Sequence, residues 1–152
     1  MWLSEKQVLE MAGMARQREE QLDLGQQNLS GLGLYGADLK GANLAQADLT
    51  AINLGRADLS GADLSGARLV GASLRESDLS GARLNQANLL GATLSQANLQ
   101  GAELRDVYLG GADLTGANLT GADLRGARYD RYTKWSVGFD PDAAGAVLKI
   151  SS

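Results

Sequence analysis

From residue 22 to residue 126 apolar and polar positions follow a strict period of five. Leucine stands at 24, 29, 34, 39, 44 and every fifth position onward to 124, giving 21 leucines in one register without a gap. Two residues before this central leucine, 15 of the 21 positions are alanine. One before it, 14 are aspartate or asparagine, and two after it, 13 are glycine. The unit is Ala-Asp/Asn-Leu-x-Gly, as in Ala37-Asp38-Leu39-Lys40-Gly41 and Ala62-Asp63-Leu64-Ser65-Gly66.

A period of five suits neither regular element. On an α-helix it advances by about 140° per unit, so the leucines would spiral around the axis. On a straight strand an odd period sends successive leucines to opposite faces. Either way about half of them would meet water, so the chain must bend once per unit. Ala-x-Leu then forms a short extended piece with Ala and Leu pointing inward and the Asp or Asn outward. The x-Gly pair makes the corner, where glycine accepts a positive φ.

This pattern resembles the pentapeptide repeat family over residues 22–126, which are 105 of the 152. The resemblance implies an all-β fold, a right-handed quadrilateral parallel β-helix with four units per coil. Residues 20 apart would stack, giving about five coils and a length near 25 Å at roughly 4.8 Å per coil. Leu44, Leu64, Leu84 and Leu104 would then form one inward column.

A stack that simply stops would expose an apolar cross-section and open strand edges, so both flanks are expected to be caps. Residues 1–21 read as an N-terminal helix from about Glu5 to Glu20. Ser4-Glu5-Lys6-Gln7 forms a capping-box sequence, and Val8, Met11, Ala12 and Ala15 follow at helical spacing. Gln27, polar at an inward position, is expected to bond this cap. In residues 127–152 four of the seven aromatics gather, Tyr129, Tyr132, Trp135 and Phe139. They resemble a tail common on cyanobacterial members of the family, in which Pro often follows the Trp where this chain has Ser136. Trp135 and Phe139 are expected against the last coil; an end-on dimer interface is the competing reading. Asp140-Pro141 suits the start of a short final helix ending near Lys149.

Composition narrows the chemistry. The chain has no Cys and no His, which removes disulfides, thiol nucleophiles, His-based triads and zinc sites with such ligands. Its net charge of −4 lacks the basic footprint of an ordinary nucleic-acid binder. No apolar run is long enough to cross a bilayer, and the first 20 residues hold no continuous apolar signal segment. The expectation is a cytoplasmic protein with neither membrane nor nucleic acid as partner. The repeat interior leaves no loop insertion to build a cleft, so no enzyme activity and no cofactor are expected. Asp38, Asp58 and Asp78 should stack on one face, where carboxylates about 5 Å apart could hold a cation; the plainer reading is repeat consensus on a wet surface, and no metal is expected. Gly31-Leu32-Gly33-Leu34-Tyr35-Gly36 lacks the strand-to-helix setting of a phosphate loop.

Two functions remain. Some members of the family that this chain resembles protect DNA gyrase by imitating DNA in size and charge. Over about 25 Å a duplex carries on the order of 15 negative charges, whereas residues 22–126 hold 11 acidic and 7 basic residues. The columns also mix signs: Asp63, Arg83 and Glu103; Asp48 and Arg68; Arg56 and Glu76. The favoured reading is a non-catalytic structural or protein-binding module, a monomer with an unidentified protein partner. Val70 and Leu90 break the polar outer surface in one column, and Tyr108 lies on the same face one coil beyond. These three are the candidate contact patch.

Overall fold

The computed structural model describes residues 2–150. The last two residues of the expected C-terminal segment lie outside them. Among the described residues the regular elements are α1 (Glu5–Gln17), β1 (Arg128–Tyr129) and β2 (Val147–Leu148). Between α1 and β1 the chain is a stack of coils joined by parallel bridges between residues 20 apart, such as Asn43 to Asp63 and Asp63 to Arg83. Each face contributes only one bridging residue per coil, so the extended pieces never lengthen into ordinary strands.

One unit accounts for all its backbone donors, as buried amides require. Ala62 N–H closes the corner to Leu59 O at 3.0 Å; Asp63 N–H reaches back one coil to Ala42 O at 2.9 Å. Leu64 N–H reaches forward to Arg83 O at 2.7 Å and Gly66 N–H to Asn85 O at 2.9 Å. The fifth donor, Ser65 N–H, is taken by the Asp63 side chain at 2.9 Å. This last bond recurs in every unit that has Asp or Asn before its leucine, 14 in all. The acidic or amide residue is therefore a corner acceptor, a reason for the consensus that the period alone does not supply.

The third residue of every corner has positive φ. Thirteen of these are glycine; the other eight are Gln26, Gln46, Ala51, Arg56, Glu76, Gln86, Gln96 and Asp106. For residues with a Cβ this conformation costs about 1–2 kcal/mol each, and the stack outweighs it. All 21 repeat leucines are buried, with Leu44, Leu64, Leu84 and Leu104 at most 1% exposed. Ile52 and Val107 fill alanine positions inside the same core. Ser77 does too, its hydroxyl donating to Leu74 O at 2.6 Å.

The cap helix α1 begins at a reciprocal capping box: Gln7 N–H donates to Ser4 Oγ at 3.2 Å and Ser4 N–H to Gln7 Oε1 at 2.8 Å. It lays Val8 and Ala12 on the first coil, with Met11 and Ala15 beside them. Two polar ties fix it, Gly33 N–H to Glu5 Oε1 at 2.8 Å and an Arg16–Asp38 ion pair at 2.7 Å. Helix α1 stops at Gln17, short of the expected Glu20. Glu19 takes a positive φ of 54° and Glu20 N–H turns back to Ala15 O, a Schellman-type stop. Gln27 is exposed, and no side-chain bond from it to the cap occurs among the described residues, contrary to expectation.

The far end also differs from expectation. Asp140 starts a helical turn, with Oδ1 accepting from Asp142 and Ala143 N–H at 3.1 Å each. Gly145, at φ 89°, ends it after that one turn. The chain then extends as β2 and pairs in parallel with β1, Arg128 beside Val147 and Tyr129 beside Leu148. The expected final helix is thus a turn followed by a strand that prolongs the stack. Trp135 and Phe139 pack against the core, stacked with ring centroids 5.1 Å apart; Tyr129 meets Trp135 edge-on at 5.4 Å. Ser136 Oγ lies 2.8 Å from Ala117 O, and 3.0 Å from Leu114 O, which already accepts the corner bond from Ala117 N–H. Tyr132 stays outside this cap, 62% exposed, because one extra residue shifts the register: Asp113 pairs with Lys134, 21 positions on.

Candidate interaction face

Three groups of side chains decide what the surface can do. The first is the acidic column. Asp38, Asp58 and Asp78 do stack by successive bridges, but their oxygens are occupied locally. Asp58 Oδ1 accepts from Ser60 N–H at 3.0 Å and Ser60 Oγ at 2.6 Å, and Asp78 is held in the same way by Ser80. Asp38 is tied to Arg16. Among the described residues no group of three acidic side chains converges as metal ligands.

The second group is the mixed charge columns. Arg56 pairs with Glu76 at 2.7 Å and Arg83 with Asp63 at 3.4 Å, both across adjacent coils. Asp48 and Arg68 make no ion pair, because Thr50 holds the Asp48 carboxylate through its N–H at 3.1 Å and Oγ1 at 2.6 Å. That hydroxyl bond is the main reason the Asp48 carboxyl lies below its ordinary pKa, and Thr115 acts likewise on Asp113. Asp123, clasped by Arg125 at 2.8 Å and Arg105 at 2.5 Å, is lowered furthest, with Arg125 the larger cause. Burial pushes Asp63 upward, but the bonds from Ser65 and the charge of Arg83 together outweigh it.

The third group is the face whose inward column runs Leu29, Leu49, Leu69, Leu89, Leu109 and Tyr129. Val70 is half-buried there, and Leu90 is 41% exposed. Tyr108 is bridged between Asn88 and Arg128, so its backbone sits two residues short of the Val70–Leu90 column. Its ring bridges that offset. A Cβ on Gly110 would lie 2.7 Å from Tyr108 Oη and 2.9 Å from Cζ. The phenol thus occupies the space that a side chain at 110 would fill, and Val70, Leu90 and the Tyr108 ring stand in succession along the face. On the neighbouring face Tyr35 also covers a glycine, Gly55, but one coil away rather than two residues away; sequence reading missed both pairings. Beyond Tyr108 a groove of about 220 Å³ opens between Tyr132 and the chain at Leu148 and Ile150.

Compared with known families, residues 21–56, 52–91 and 92–128 match the model of pentapeptide repeats, in 8 copies. Among solved structures, the pentapeptide repeat protein Rfr23 from the cyanobacterium Cyanothece 51142 is 34% identical, with 83% of this chain and 97% of that one covered and a TM-score of 0.75. HetL from Nostoc sp. strain PCC 7120, a pentapeptide repeat protein involved in heterocyst differentiation regulation, is 29% identical, with 86% and 76% covered and a TM-score of 0.56. No curated protein matches the sequence.

Proposed function

The chain belongs to the pentapeptide repeat family, and from that premise we propose that it is a non-catalytic protein-interaction module of the cytoplasm. In this reading it is a right-handed quadrilateral parallel β-helix, monomeric, with residues 1–21 and 127–152 closing a stack formed by residues 22–126. It presents flat faces to a protein partner, and the face of Val70, Leu90 and Tyr108 makes the contact. The observation that carries the reading is the succession of apolar groups on that face, where the other outward positions are mostly Ser, Thr, Asn, Asp, Arg or Gly. Tyr108 offers an amphipathic anchor of the kind that dominates docking energetics.

The test is recovery of partners from an extract of the native cell by wild type and by the double variant Leu90→Asp, Tyr108→Ala. Both positions lie on the outer surface, so the thermal midpoint should hardly move while partner recovery is lost. Retention of every wild-type partner by the double variant would remove this face from consideration. Imitation of DNA for a gyrase-type enzyme has weaker support, since three Arg–carboxylate pairs across coils break up the negative surface. Purified protein is accordingly expected to leave gyrase supercoiling unchanged.

A further inference from the structure

Resting on the docking face just described, we propose that its occupant is an acidic peptide segment bearing aliphatic side chains, seated between the Tyr108 strip and the groove beside Tyr132. Positive charge is left unpaired on this face. Six arginines of the chain, at 16, 56, 75, 83, 105 and 125, are in ion pairs with carboxylates. Arg68, Arg128, Arg131 and Lys149 are in none among the described residues, and all four are exposed. Arg128, Arg131 and Lys149 gather around the groove at the top of this face, and Arg68 lies lower on it beside Asp48, on a molecule whose net charge is −4.

Two of these cations are held in place by aromatic rings. The Arg128 guanidinium lies over the Tyr108 ring, 5.7 Å from its centroid. That of Arg131 lies 4.9 Å from the Tyr132 centroid and donates to Tyr132 Oη at 2.7 Å. Stacking on a ring fixes a guanidinium while leaving in-plane donors free for a carboxylate, which lowers the ordering cost of binding one. Nearby acidic groups offset only part of the field. Asp130 lines the groove, but its Oδ1 accepts from Gly111 and Tyr132 N–H at 3.0 and 2.9 Å. Asp106, at the corner leading into the face, bends over Gly126. Three cations around the groove against these two carboxylates leave the patch positive, and Arg68 lower on the face is matched by Asp48.

The apolar part of the site argues for a peptide rather than a nucleic acid. Leu148 and Ile150 wall the groove at 46% and 86% exposure, and Leu90 lies on the strip that leads into it. Aliphatic side chains gain from covering such surface, whereas a phosphate backbone gains nothing there. Charge complementarity would steer the segment in and set its register, and apolar contacts would hold it.

A random-dodecamer phage library panned on the purified protein tests the assignment. The expected winners are net acidic with one or more Leu, Ile, Val or Phe. The matching synthetic peptides should bind about tenfold or more weakly to Arg128→Glu, Lys149→Glu protein, with added salt weakening binding to wild type. Thermal melts of the variants check that these exposed substitutions leave the fold intact. Neutral or basic winners that are lost in Leu90→Asp protein would overturn the acidic assignment and leave the docking face standing. Acidic winners indifferent to Leu90→Asp and to the charge reversals would overturn the site. No enrichment at all would also overturn the proposal, as would a single-stranded oligonucleotide that binds at the same concentrations and is lost in the charge-reversed protein.

Discussion

Replacing Asp48 by alanine isolates the corner bond that recurs through the stack. Asp48 Oδ1 accepts both Thr50 N–H, at 3.1 Å, and Thr50 Oγ1–H, at 2.6 Å. A typical net hydrogen bond contributes about 0.5–1.5 kcal/mol, and one to a charged acceptor more. The site is half-buried, so water replaces part of what is lost, and Asp48→Ala should cost about 1–2 kcal/mol. Asp48→Asn keeps an oxygen in the same place and should cost about 0.5 kcal/mol or less. The bond also gives the comparison a pH signature. The folded carboxyl is lowered below its ordinary value of 3.8, chiefly by the Thr50 hydroxyl. Its charge-dependent stabilisation is therefore fully present above 3.8 and is lost as pH falls through the lowered value. Urea unfolding at neutral pH gives the two costs, and repetition in acid should show the alanine deficit shrinking. If alanine and asparagine variants unfold at the same urea concentration with the same slope, the side-chain bond does not support the corner and the account of the consensus is wrong.

Other consequences follow from the same geometry. Leu64→Ala empties a fully buried site and should cost about 2–5 kcal/mol in urea unfolding. Gly81 has φ 65° and open space where a Cβ would stand, so Gly81→Ala should cost only the backbone term of about 1–2 kcal/mol. Gly116→Ala should cost about the same, because the exposed Gln96 carboxamide that its Cβ would meet can swing aside; thermal melts should place the two variants together. With Asp48, Asp63, Asp113, Asp123 and Asp130 all lowered when folded, the melting temperature should hold down to about pH 4 and fall below it. Deleting residues 129–152 uncovers Leu109, Leu114 and Leu119 at the end of the stack and should give end-to-end oligomers in sedimentation; a clean monomer would contradict the cap.

The leucine register required one bend per unit, because neither a helix nor a straight strand buries every leucine; the stacking of residues 20 apart came from the family resemblance. That uniformity ends at the tail. Asp113 pairs 21 residues ahead and Arg128 only 19 ahead, so counting by 20 misplaces Tyr132 and β2. Asp140-Pro141 does start a helical turn, but Gly145 and the pairing edge of β1 outweigh helix propensity after a single turn. Gly33, where Asp or Asn is usual, could have signalled its contact: a Cβ there would meet Glu5 Oε1 at 3.1 Å. On the interaction face, Val70 and Leu90 were legible as apolar residues at polar positions. The reach of Tyr108 over Gly110 was not, because it depends on a side-chain direction across two residues. The basic groove was hidden as well, since Arg128, Arg131 and Lys149 come together only after β2 returns beside β1.

The claim that one face docks a protein is tested most directly by site-resolved photo-crosslinking in extracts of the native cell. A photoreactive phenylalanine analogue is placed at Leu90 or, on the opposite face, at Ser80. The account predicts a discrete protein adduct from position 90, suppressed by Tyr108→Ala, and none from position 80. Equal labelling from both positions, or an adduct from position 80 alone, would contradict it.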